Sequence, residues 1–211
     1  DVPVVYQVER DRDGSSFSPR RVVAIQNGKP IFNLAASFQI AEDGYEHQFD
    51  MPDVTPPEEL KSETEWRQSW IGEIPEKLRP HFTRERPIDF RRVDQAAPGK
   101  EGREPRQIVW FRAQAALPDD PALHRCMLAY ASDMTLLSTC QRPHGLKWYS
   151  GEVQVASLDH ALWFHGPARA DDWLLYVQDS PWAGGARGMN RGLIYDRRGR
   201  MIASVAQEGL M

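Results

Sequence analysis

Cysteine is scarce in this chain: Cys126 and Cys140 are the only two in 211 residues. Both fall in one helix-like run, "CMLAYASDMTLLSTC". Fourteen residues of helix rise about 21 Å, too far for a disulfide, so both are expected to be free thiols. A surplus of basic charge is also missing. The formal net charge is −4, and nothing in it suggests the basic face that nucleic acid binding needs. No apolar run reaches the roughly 18 residues of a membrane span, and the opening "DVPVVYQVERDRDG" has neither the basic nor the apolar region of a signal peptide. No G-x-S-x-G is present, so a serine-hydrolase elbow is not indicated. No His/Cys cluster has metal-ligand spacing, and "AGGARGMNRG" does not follow phosphate-loop spacing.

What is present is patterned. "PVVYQVER", "PRRVVAIQ" and "PIFNLAASFQI" read as strands, with Asn27-Gly28 as the hairpin signal between the second and third. Residues 41–106 hold eight of the sixteen prolines. Within them "SETEWRQSWIGEIPEKL" reads as a helix. Ser62 and Glu65 have capping-box spacing, and Trp66, Trp70 and Ile74 fall on one face. "RPIDFRRV" and "QIVWFRAQAAL" read as strands. A longer helix follows over "PDDPALHRCMLAYASDMTLLST", with Asp120 as N-cap and Pro121 at its first position. Then come a long strand, "VQVASLDHALWFHG", and a second meander, "DWLLYVQDSP", "ARGMNRGLIYD" and "GRMIASVAQEGLM".

The two meanders align. Setting Arg20 on Arg191 brings Gly28 to Gly199, Ile31 to Ile202 and Ala35 to Ala206. The layout of strands and turns repeats, which indicates a duplicated unit. Only the second copy carries strands and a helix ahead of its meander, so the first is expected to be incomplete at its N-terminus. The expected class is α+β, a double hotdog: two units, each a long helix wrapped by a curved antiparallel sheet. The expected division is 1–42 for the closing meander of the first unit, 43–85 for a proline-rich linker with a helix, and 86–211 for the second unit.

One residue stands out. Asp133 sits in the middle of the apolar helix, where an unpaired buried carboxylate is costly. It either faces solvent or is held for a purpose. In an uninterrupted strand, Ser157, Asp159, Ala161, Trp163 and His165 share one face and His160 points away. Asp159, His160 and His165 are therefore expected to serve backbone or subunit contacts. Arg187 with Arg191, and Arg20 with Arg21, suit phosphates or simply solvated hairpins. Trp163, Trp173 and Leu174 read as core.

With "RDGSSFSPRRVVAIQNGKPIFNLAASFQ", "LAYASDMTLL", "PHGL", "ASLDHALWFH", "WLLYVQDSP" and "ARGMNRGLIYDRRGRMIASVAQEGLM" in view, the chain resembles the acyl-CoA thioesterase II family of double-hotdog thioesterases. The resemblance implies hydrolysis of fatty acyl-CoA to fatty acid and CoA, with no metal and no cofactor. It places the family's catalytic triad on Asp133, Ser157 and Gln207, with serine where threonine is usual. The repeat sets Gln207 opposite Ala36, so the first unit is not expected to run a site of its own. Thioester hydrolysis needs a base for water. A carboxylate beside a hydroxyl and an amide, both neutral and able to donate or accept, suits direct attack by water. A nucleophilic hydroxyl is the other chemical route, and the resemblance favours water. Two other functions compete: a non-catalytic acyl-CoA-binding protein, and a hotdog dehydratase or hydratase, which ordinarily pairs a histidine with an acid. The partners expected are an acyl-CoA substrate and further copies of the chain, a dimer or higher. No nucleic acid and no membrane are expected. The end "QEGLM" lacks the peroxisomal S-K-L, and a cytoplasmic setting is expected.

Overall fold

A computed structural model describes residues 2–99, 101–147, 149–151 and 153–211. The chain divides into two compact units, Asp1–His47 and Gln48–Met211.

The first unit is an antiparallel meander of β1 (Val5–Glu9), β2 (Phe17–Gln26) and β3 (Lys29–Gln39). Asn27 and Gly28 take φ of 51° and 71°. Those left-handed values are what a two-residue hairpin turn requires and what Asn-Gly supplies. Ala24 is the one buried apolar residue here; Tyr6, Val8, Phe17, Phe32, Leu34 and Phe38 are exposed.

The second unit opens with short helical pieces. The capping box forms as expected, with Ser62 Oγ accepting from Glu65 N and the Glu65 carboxylate accepting from Ser62 N, and it starts α1 (Glu63–Gln68). The helix expected to run on through residue 78 ends at Gln68, and Pro75, with no N–H for the carbonyl of residue 71, bars a regular helix from running on through 71–75. The chain continues instead through 3-10 turns to α2 (Arg79–Thr83). The apolar face survives the break. Trp66, Trp70 and Ile74 pack with Phe82 and Tyr149 in one cluster.

A seven-stranded antiparallel sheet follows, from β4 (Ile88–Arg92), β5 (Arg106–Ala113), β6 (Ala156–Ser157), β7 (Ala161–Phe164), β8 (Leu174–Gly184), β9 (Arg187–Asp196) and β10 (Met201–Leu210). Its order is β4-β5-β8-β9-β10, and β6 and β7 both pair with β10. Across one face lies α3 (Pro121–Leu136), capped by the Asp120 carboxylate on Ala122 N and extended by α4 (Ser138–Gln141). Leu128, Ala131 and Leu136 of α3 meet Phe90, Phe111, Tyr176, Ile194 and Val205 of the sheet in the main core. The other face is covered at Trp110, Trp173, Leu175 and Tyr195 by Met51, Val54 and Leu60. A helix laid on an antiparallel sheet is the hotdog arrangement expected for this half. The β1-β2-β3 meander corresponds strand for strand to β8-β9-β10 under the alignment of Gly28 on Gly199.

Two glycines set how close the helical layer lies. A Cβ on Gly209 would overlap Leu137 Cδ1, and one on Gly188 would overlap Cys140 Sγ. Gly188 and Gly209 thus serve close packing of the helical layer on the sheet. Among the described residues no helix is long and apolar enough to cross a membrane. Cys126 and Cys140 are free, the first exposed and the second buried.

Candidate active site

Asp133 projects from the exposed side of α3, with its side chain 53% accessible. It is therefore not a buried orphan. Ser132, one residue earlier, is buried, and its carbonyl accepts a 2.9 Å hydrogen bond from the Tyr176 hydroxyl beneath. Burial, aided by the Asp133 carboxylate, pushes the Tyr176 phenol well above its ordinary range, so it remains a donor and anchors the helix there.

Gln207 comes from β10, whose odd-numbered residues Ala203, Val205, Gln207 and Gly209 face the helix. Gln207 is fully buried. Its Nε2 donates to Asp133 Oδ1 at 2.7 Å and to Ser157 Oγ at 2.5 Å. Ser157 Oγ donates to the same Asp133 Oδ1 at 3.2 Å. The three residues form a closed triangle of hydrogen bonds. Both donors fall on Oδ1, and among the described residues no side chain or backbone group bonds Oδ2.

Ser157 reaches this point through an interruption the sequence pattern did not indicate. The expected single strand over 153–166 is two short strands, β6 and β7. Ser157 pairs with Gly209, and Ala161 with Ala206. Three residues, 158–160, thus stand against two, 207–208. Leu158 N and Asp159 N both point to Glu208 O, at 3.0 and 3.5 Å, and Asp159 Oδ1 accepts from Glu208 N at 2.7 Å. This is a β-bulge, and one extra residue inverts the pleat beyond it. Ser157 faces the helix before the bulge; His160 and Leu162 face it afterwards. The expectation that Ser157, Asp159, Ala161, Trp163 and His165 share a face with His160 opposed is therefore corrected. His160 Nε2 lies 2.9 Å from Ser132 Oγ, and its Nδ1 lies 3.4 Å from Gln207 Oε1. His165 belongs to the other face, with Nε2 2.8 Å from Ser204 Oγ.

Asn190 escaped the sequence reading. It is fully buried, pairs directly across the ladder with Gln207, and its Oδ1 accepts from Cys140 N at 2.9 Å. A polar residue among inward positions otherwise held by Gly188, Gly192 and Ile194 was the available signal.

A cavity of about 490 Å³ has Met134, Leu137 and Val155 in its wall, from the segments that carry Asp133 and Ser157; Trp66, Trp70 and Phe82 add aromatic surface. The arginines weighed as phosphate ligands have carboxylate partners: Arg191 on Asp179, Arg187 on Glu208, Arg20 on Asp13 and Arg21 on Glu9. Among the described residues no group of three or more His, Cys, Asp or Glu is placed to hold a metal ion.

Comparison with known proteins gives a consistent set. The acyl-CoA thioesterase family description matches residues 78–210. Human acyl-coenzyme A thioesterase 8 is 42% identical over 219 aligned residues, covering 100% of this chain and 68% of that protein. Acyl-CoA thioesterase 2 of Haemophilus influenzae is 37% identical, covering 99% of this chain and 73% of that protein. Among solved structures, an acyl-CoA thioesterase II from Mycobacterium marinum superposes with a TM-score of 0.79 at 44% identity, over 98% of this chain and 73% of that one. A hot dog fold protein from Alicyclobacillus acidocaldarius, 18% identical, has a TM-score of 0.75 over 99% of this chain and 72% of that one, a likeness of fold alone.

Proposed function

The chain belongs to the acyl-CoA thioesterase family, and from that premise we propose that it hydrolyses fatty acyl-CoA to free fatty acid and CoA, with Asp133, Ser157 and Gln207 as the catalytic group. The observation that carries the assignment is the closed triangle around Asp133 Oδ1. Two donors on one oxygen fix the carboxylate plane and leave Oδ2 as the oxygen that faces a water. Asp133 Oδ2 takes a proton from that water as its oxygen attacks the thioester carbonyl. The tetrahedral oxyanion collapses, the C–S bond breaks, and the sulfur leaves as the CoA thiolate. The proton held by Asp133 then returns to solvent or to the thiolate. Ser157 and Gln207 are neutral, so they orient the base without neutralising it. Gln207 also donates to Ser157 Oγ, which draws on the lone pair that a serine nucleophile would need. Attack by water is the route this favours.

The remaining parts of the reading rest on the family. We propose a cytoplasmic homo-oligomer, a dimer or higher, acting in fatty acid metabolism. We divide the chain functionally as 1–42, 43–85 and 86–211, with the catalytic residues in the last part. Light scattering on the eluted protein tests the oligomer; a monodisperse monomer refutes it.

The deciding experiment is CoA thiol release from a panel of short to long acyl-CoAs, by the wild type and by Asp133→Asn. The substitution keeps size and removes the base. The expected result is turnover in the wild type and a loss of about 10²- to 10⁴-fold in kcat in the variant, with an unchanged melting curve. Equal rates refute the mechanism. Binding of acyl-CoA without turnover in the wild type indicates the non-catalytic reading.

A further inference from the structure

The triangle works only if the Gln207 carboxamide is turned one way. Its nitrogen must face Asp133 and Ser157. Reversed, its oxygen would oppose a carboxylate. The two orientations have nearly the same shape, so packing alone selects between them poorly. What Oε1 accepts decides the matter.

The group nearest Oε1 on the other side is His160. Its Nδ1 is 3.4 Å from Oε1 and 3.9 Å from Asp133 Oδ1, and its Nε2 is 2.9 Å from Ser132 Oγ. Ser132 is buried and has one other acceptor in reach, Ala129 O at 2.9 Å. Two acceptors face Nδ1, Gln207 Oε1 and Asp133 Oδ1; a ring proton there points at Gln207 Oε1, and Nε2 then accepts from the Ser132 hydroxyl in place of Ala129 O. The hydrogen bonds then run in one direction, from Ser132 to His160 to Gln207 to Asp133 and Ser157. A neutral ring with its proton on Nε2 would set a lone pair against Oε1 and favour the reversed amide.

We propose that His160 is a positioning residue for hydrolysis, which acts by fixing the orientation of the Gln207 carboxamide through its Nδ1–H. This rests on the assignment of Asp133, Ser157 and Gln207 as the catalytic group. At 3.4 Å the contact is at the outer limit of a hydrogen bond, so its part is to choose between two amide orientations. The β-bulge at 158–160 is what delivers it, by turning His160 to the side of Ser157.

The test is a double-mutant cycle read as kcat and KM on one acyl-CoA, with melting curves for each protein. His160→Ala is expected to lower kcat by about 10- to 100-fold with little change in KM, the scale of a misplaced catalytic group. In a Gln207→Ala background the same substitution is expected to cost less than about 3-fold, because the group it orients is gone. His160→Asn keeps a donor near the Nδ1 position and is expected to recover most of the rate. His160→Gln, with its donor near Nε2, is expected not to. An equal cost of His160→Ala in both backgrounds overturns the proposal and leaves the catalytic group standing. So does a better recovery by Gln than by Asn, which also covers the case of an alanine variant that does not fold. Gln207→Ala at the wild-type rate overturns the catalytic group itself and this proposal with it.

Discussion

At the scale of single residues, the family resemblance leads to threonine being expected at the place of Ser157. Its hydroxyl donates to Asp133 and accepts from Gln207, and neither bond uses the missing methyl. Ser157→Thr is therefore expected to stay within about 3-fold of the wild-type kcat, with the branched side chain holding fewer rotamers. Ser157→Ala removes one hydrogen bond to a charged oxygen and is expected to cost about 10- to 100-fold. Steady-state CoA release on the pair checks both. A mass spectrum of the wild type quenched during turnover is expected to show no added acyl group. A stoichiometric acyl adduct on Ser157 would replace water attack by a serine nucleophile.

At the scale of elements, the site depends on how closely α3 and α4 lie on β9 and β10. Gly209 is the contact for Leu137, directly beside the Ser157 pairing. Gly209→Ala must push the helix off the sheet or distort Leu137. A loss of about 1–3 kcal/mol is expected, as for other overpacked sites, read as a lower urea midpoint at unchanged slope. Activity is expected to fall with it, because Asp133 rides on the displaced helix. The early end of the first helix at Gln68 belongs to this scale too. The Trp66–Trp70–Ile74 stripe was legible from its spacing, yet the backbone carrying it is a helix followed by 3-10 turns. Trp66 and Trp70 still meet edge to face at 4.9 Å between ring centres. Side-chain burial tolerated either backbone, and Pro75 bars a regular helix over the last turn of the stripe.

At the scale of the whole second unit, two acidic residues tie loops together. Burial acts to raise the Asp94 carboxyl, but hydrogen bonds from Arg142, Ala96 N and Arg103 outweigh it and hold it at about 2. Arg169 first, then Leu117 N, hold Asp171 at about 2 against burial. A carboxylate whose folded pKa lies below its unfolded value, ordinarily 3.8 here, binds fewer protons folded than unfolded. Its stabilisation is present above the ordinary value and is lost as pH falls toward about 2. The midpoint of urea unfolding is thus expected to drop between about pH 4 and pH 2. Asp94→Asn and Asp171→Asn are each expected to flatten that limb. An unchanged acid limb in both variants would locate the loss in other groups.

Local chemistry determined much of this protein from the sequence alone. Asn27-Gly28 dictated a left-handed two-residue turn, Ser62 and Glu65 a helix start, and Asp120-Pro121 the start of α3, because each acts on backbone groups within a few residues. The sequence pattern set Asp133 on a helix and Ser157 and Gln207 on strands, and they lie on α3, β6 and β10. The tertiary structure decided which side chains meet. Ser157 and His160 come to one side because β6 and β7 share β10 across an unequal count of residues, and a bulge leaves no period in the sequence. Gly188 and Gly209 matter because a helix lies on them, and Asn190 because Cys140 N ends above it. Those facts depend on pairing between residues about 40 to 70 apart, which no local pattern records.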